Sequence, residues 1–131
     1  SIDISTRLEA GNIMVNGDMQ SFSQLVDNLV TNAVKYTPVK GSVFVSLLAL
    51  PDQGVAYLVV KDSGIGISLH DQQKIFERFY RVDKARSREL EGTGLGLSIV
   101  KNIVEQYDGS IELESHLGLG STFSIMLPLA N

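Results

Sequence analysis

The spacing of apolar residues along the chain changes several times, and each change predicts an element. Ile2, Ile4 and Leu8 predict an edge strand, and Ile13-Met14-Val15 predicts a second short one. Phe22, Leu25, Val26, Leu29, Val30 and Ala33 then keep helical spacing. This predicts a helix from about Met19, capped by Asp18 and stopped by Pro38 and Gly41. Residues 43–48 and 55–60 are rich in β-formers and are separated by Pro51, Asp52, Gln53 and Gly54, the pattern of a hairpin. Ser68 with Asp71 three residues on has the form of a capping box for a short helix to about Phe76. Leu97, Val100, Ile103 and Val104 mark another helix, which Gly109 stops. Residues 110–115 and 122–127, around Gly118 and Gly120, predict a closing hairpin. Residues 83–91 are charged, lack a sustained apolar face and read as a loop. Helices interleaved with hairpins predict an α+β fold, a sheet layered on helices with its other face open.

Composition narrows the function classes. A chain of 131 residues with 44% hydrophobic residues fits one domain with a substantial core. A net charge of -4 without a long Lys/Arg run gives no footprint for nucleic acid or for an anionic membrane, so any basic site is local. The absence of Cys excludes disulfides, zinc-thiolate centres and thiol catalysis. His70 and His116 lie far apart without clustered ligands and are expected at the surface. The longest apolar stretch, residues 43–50, contains Ser46 and is too short to span a bilayer. Residues 1–5 have neither a basic region nor a long apolar core and do not read as a signal peptide.

Four blocks carry candidate chemistry. Gln24, Asn28, Asn32 and Lys35 form one polar stripe on the first long helix, which is either a solvated face or a ligand face. Asn is a poor helix former, and two of them in mid-helix favour a use, such as carboxamide oxygens offered to Mg²⁺. In the second block a predicted strand ends at Asp62 and continues as Ser63-Gly64-Ile65-Gly66. That is either ordinary turn chemistry or a carboxylate that accepts from a purine's exocyclic amine, with glycines letting the backbone approach the base. The third block, Phe76-Glu77-Arg78-Phe79-Tyr80-Arg81, supplies packing through Phe76 and Phe79. Arg81 and Arg86 beside the charged loop are either solvated or positioned to neutralise a transferring phosphoryl group. The fourth, Gly92-Thr93-Gly94-Leu95-Gly96-Leu97, feeds a helix whose N-terminus would favour an anion. It lacks the Gly-Lys-Ser/Thr of a P-loop and the spacing of the dinucleotide fingerprint.

In this order the stretch from Asn28 through Asn32 to Tyr36, Asp62-Ser63-Gly64-Ile65-Gly66, the Phe76 block and the Gly92 block resemble the N, G1, F and G2 boxes of sensor histidine kinases. Gly120-Ser121-Thr122-Phe123 and Leu127-Pro128 are similar to that family's closing hairpin. The resemblance implies the Bergerat fold, an α/β sandwich with a mixed, mostly antiparallel sheet of about five strands on three helices and a mobile ATP lid at residues 83–93. It implies ATP and Mg²⁺ as ligands. Asn32 would hold Mg²⁺, Asn28 and Lys35 would approach the phosphates, and Tyr36 would lie near the base or ribose. Asp62 would take the adenine amine, beside Gly64, Ile65 and Gly66. Arg81 and Arg86 would serve the γ-phosphate, and Gly92, Thr93, Gly94, Leu95, Gly96, Leu97 and Thr122 would complete the nucleotide site.

Chaperone, topoisomerase and mismatch-repair ATPases share that fold, and there a Glu that activates water stands where this chain has Asn28. A carboxamide is no general base, so transfer to an acceptor is expected over hydrolysis. Neither histidine lies in a phosphoacceptor motif, so this chain is expected to bind ATP without phosphorylating itself. The expected partners are a dimeric helical phosphoacceptor domain of the same kinase and a response regulator, in the cytoplasm, with a membrane-anchored parent allowed. The rival readings are an anti-sigma-factor-type serine kinase and a non-enzymatic nucleotide-binding or docking module.

Overall fold

The computed structural model describes residues 3–8, 19–38, 40–77 and 96–129. Their elements run β1 (Asp3–Leu8), α1 (Met19–Lys35), β2 (Ser42–Leu50), β3 (Val55–Asp62), α2 (Leu69–Gln72), α3 (Gly96–Gln106), β4 (Ser110–His116) and β5 (Gly120–Pro128). The strands form one sheet in the order β1-β2-β3-β5-β4, with β1 parallel to β2 and every other pair antiparallel. This is the expected mixed sheet of five strands. The expected strand at Ile13-Met14-Val15, the Asp18 cap, Phe79 and the charged segment 83–91 lie outside the described residues.

One face of the sheet carries the core. Burial alternates along β3 and β5, so Leu58 and Val60 lie beside Phe123, Ile125 and Leu127 on the covered face. Helix α1 meets them with Leu25, Leu29 and Ala33, four residues apart on one stripe. Helix α3 adds Val100, Ile103 and Val104, packs against α1 and covers β4. The other sheet face has no helix on it among the described residues.

Each helix end has a local cause. Past Lys35 the α1 carbonyls are taken by Tyr36 N–H on Asn32 and by the Thr37 hydroxyl on Ala33 at 2.7 Å. Pro38 comes next, and its ring disfavours further helix. The helix at Ser68 is shorter than the sequence predicts, ending at Gln72 and continuing to Glu77 as tight turns. Its Ser68 oxygen accepts the Asp71 N–H at 3.2 Å, and the Ser68 hydroxyl donates to Asp71 Oδ2 at 3.0 Å. At the end of α3 the left-handed residue is Asp108, with φ 59°, and not Gly109. Gly109 N–H reaches back to Val104 at 2.9 Å and Asp108 N–H to Glu105 at 3.0 Å, the paired bonds of a Schellman ending.

Candidate functional site

The sheet order decides where the chemistry gathers. Because β5 enters between β3 and β4, its first residues lie beside the last residues of β3, and Asp62 pairs in register with Ser121. Asp62 has the parity of Val60 and Leu58, so its carboxylate lies at the end of the covered face and is buried. Its Oδ1 accepts the Gly64 N–H at 2.8 Å and the Ser121 N–H at 3.2 Å. Both protein bonds fall on one oxygen, and Oδ2 has no protein donor among the described residues. Burial pushes the pKa of this carboxyl above its ordinary value, and the Gly64 and Ser121 bonds oppose that rise in part.

The loop after Asp62 is clamped against the end of α1. Ile65 N–H donates to the Tyr36 carbonyl at 3.1 Å, and Gly118 N–H donates to the Ile65 carbonyl at 2.8 Å. A methyl group at Gly64 would collide with the Tyr36 carbonyl, and Gly66 combines φ 77° with a collision against the His116 carbonyl. Glycine is therefore required at both positions for this close approach.

Asn28, Asn32 and Lys35 lie along the last turns of α1 with Tyr36 just past its end, together spanning about 12 Å of helix axis. All four side chains are half-buried. The Nδ2 of Asn28 is buried with no hydrogen-bond partner among the described residues. A buried amide donor left unpaired costs about 1–3 kcal/mol, so it marks a place where an acceptor is missing. A phosphate oxygen is an acceptor of the required kind. The donor set fits a nucleotide-borne Mg²⁺ as well, since carboxamide oxygens are hard ligands. Among the described residues no group of three or more His, Asp or Glu side chains would hold a metal by itself.

Helix α3 starts at Gly96 and has no acidic residue in its first turn, so the positive end of its dipole is uncompensated by its own side chains. Leu97 packs against the core. Gly92, Thr93, Gly94, Leu95, Arg81 and Arg86 lie outside the described residues. Phe76 meets Phe123 edge to face at 6.3 Å, the packing role expected of it. His70 and His116 are exposed.

Thr122 is not brought to this group. Alternation along β5 turns its side chain to the open face of the sheet, in register with Lys61 and Glu114. Ser121, one residue earlier, is the one bonded to Asp62, and sequence reading alone did not select it. The available signal was parity: Ser121 stands two residues before Phe123 and so shares the covered face, where a polar side chain needs a partner.

Residues 17–131 match the family model of the histidine kinase-, DNA gyrase B- and HSP90-like ATPases. The chain belongs to this ATPase family. It is 44% identical over 128 residues to the sensor histidine kinase RppB of Synechocystis sp., an alignment that takes in 98% of this chain and 28% of RppB. Among solved structures it resembles the mycobacterial sensor histidine kinase MprB, with a TM-score of 0.84 and 33% identity over 98% of this chain and 84% of that one. Full-length ShkA in complex with AMPPNP gives a TM-score of 0.80 and 29% identity, over 99% of this chain and 26% of ShkA. Within the family the chain falls with the ATP-binding domains of sensor histidine kinases, and it spans less than a third of RppB's length.

Proposed function

We propose that this histidine kinase-type ATPase domain binds ATP with Mg²⁺ and presents the γ-phosphoryl group to a histidine on a separate, dimeric helical domain of its parent kinase. A response regulator then takes the phosphoryl group, completing a two-component signal. The observation that carries this reading is Asn28, whose buried amide donor has no acceptor among the described residues, on the helix face where a hydrolase of this fold would place a water-activating Glu. A carboxamide can donate to a phosphate oxygen but cannot take a proton from water, so it favours transfer over hydrolysis.

The other residues divide the nucleotide between them. Asp62 fixes Oδ1 on two backbone donors and keeps Oδ2 for the exocyclic amine of adenine. Gly64, Ile65 and Gly66 hold the backbone close to the base, and Tyr36 lies at the base or ribose. Lys35 joins Asn28 at the phosphates, and Asn32 holds Mg²⁺, which supplies charge neutralisation to the phosphate groups. Arg81 and Arg86 complete that neutralisation at the γ-phosphate. Gly92, Thr93, Gly94, Leu95 and Gly96 lead into α3, whose first turn carries no acidic residue and so suits an anion.

Transfer is tested with γ-labelled ATP. The 131-residue chain alone is expected to incorporate no label, whereas mixing it with the phosphoacceptor domain of its parent kinase transfers acid-labile label to that domain. Label on this chain, or release of inorganic phosphate at a rate the acceptor does not change, would contradict transfer.

A further inference from the structure

A chain of hydrogen bonds, buried as far as Ser115 and Ile67 and part-buried at Gln72, runs from Asp62 to α2. Ser121 donates its N–H to Asp62 Oδ1, and its hydroxyl lies 2.7 Å from the hydroxyl of Ser115, its partner across the β4–β5 ladder. Ser115 Oγ also bonds the Gly120 carbonyl at 3.0 Å and accepts the Ile67 N–H at 2.8 Å. Gln72 Nε2 then donates to the Ile67 carbonyl at 2.7 Å and to the Ser115 carbonyl at 3.1 Å. Both of its partners are carbonyl oxygens, so only the nitrogen end of the amide fits there.

Ile67 thus has both backbone polar groups satisfied by side chains, Ser115 on its N–H and Gln72 on its carbonyl. Ile67 ends the loop that begins at Asp62 and carries Gly64 and Gly66. The two ends of that loop are therefore tied to one pair of facing serines, Asp62 through Ser121 and Ile67 through Ser115. Ser115 and Ser121 are buried, so no competing water bond replaces these contacts cheaply.

We propose that Gln72 and Ser115 are positioning residues for base recognition, holding the loop from Asp62 to Ile67 closed so that the Asp62 carboxylate presents Oδ2 in one orientation. Neither touches the nucleotide. The inference rests on the reading of Asp62 as the adenine acceptor, and its effect falls on the base, whatever phosphates are attached.

The test uses the 131-residue chain with Gln72→Met, which keeps volume and removes both donors, and Ser115→Ala. Adenosine, ADP and a non-hydrolysable ATP analogue are titrated into each, and the amide resonances of Gly64 and Ser121 are monitored. Each variant is expected to lose about fivefold in affinity, by the same factor for all three ligands, the net scale of a single hydrogen bond because neither side chain contacts the ligand directly. The Ser121 amide, bonded to Asp62, is expected to shift in both. Unchanged affinity in a folded variant, or a loss that grows with the number of phosphates, overturns the proposal. Helix α2 contributes no buried residue to the core, so Gln72→Met keeps the test open should Ser115→Ala fail to fold. If the unaltered chain binds none of the three ligands, the nucleotide reading itself fails, a result distinct from failure of the network.

Discussion

Asp62 is buried with its charge opposed by desolvation, and among the described residues two backbone donors support the ionised form. Such a group lowers the stability of the domain while leaving Oδ2 without a protein donor among the described residues. Since its folded-state pKa is raised, the folded state holds a proton that the unfolded chain has released in the window between the ordinary value and the raised one. The associated stability is present below that window and is lost as pH rises through the raised value. Asp62→Asn keeps an oxygen for Gly64 and Ser121 and removes the buried charge. The variant is therefore expected to melt above the unaltered chain at neutral pH, with the gap narrowing as pH falls through the window. Thermal unfolding across pH checks this, and a variant that melts lower at neutral pH would contradict it. Nucleotide affinity of the unaltered chain should fall as pH is lowered through the same window, because a protonated Oδ2 no longer serves as a simple acceptor.

At the scale of elements, α1 serves two purposes on adjacent residues. Leu29 is buried in the core, while Asn28 beside it carries the unpaired amide. Leu29→Ala is expected to destabilise the domain by about 2–5 kcal/mol through the cavity it leaves. Asn28→Ala is expected to stabilise it by about 1 kcal/mol, by relieving an unsatisfied donor and improving helix propensity. Urea denaturation of both variants measures the two signs, and destabilisation by Asn28→Ala would show that its amide is satisfied without nucleotide. The helix α1 and its core-facing stripe were legible in the sequence because helical period and residue type are local properties. The same holds for the β2–β3 hairpin and for Asp62 at the end of a strand. The ending of α3 was legible only in outline: Gly109 marked the place, but the left-handed backbone fell to Asp108, and pattern alone does not assign φ within a two-residue turn. Helix α2 stopped early for a related reason. A capping signal fixes where a helix starts, whereas the tertiary contacts of Ile75 and Phe76 set how far it runs.

At the scale of the molecule, what the sequence withheld was the pairing of distant strands. Asp62 and Ser121 are 59 residues apart, and only the entry of β5 between β3 and β4 makes them neighbours. That insertion also sends Thr122 to the open face, a consequence of one step in register that motif matching does not reveal. The resulting arrangement ties the loop after Asp62 to the end of α1 through the Tyr36 carbonyl and packs α1 against α3 in one layer of the fold. No helix among the described residues is long and apolar enough to cross a membrane. That this layer is an adenine nucleotide site, with Mg²⁺ held from α1, is the claim on which the functional reading depends. Its most direct test is calorimetric titration of the chain with a non-hydrolysable ATP analogue and its guanine counterpart, with and without Mg²⁺, beside Asp62→Asn and Asn32→Ala. One saturable site is expected for the adenine analogue alone, with an affinity at least about tenfold lower in Asp62→Asn and loss of the Mg²⁺ dependence in Asn32→Ala. Equal affinity in all three proteins, or equal affinity for the two bases, would contradict it.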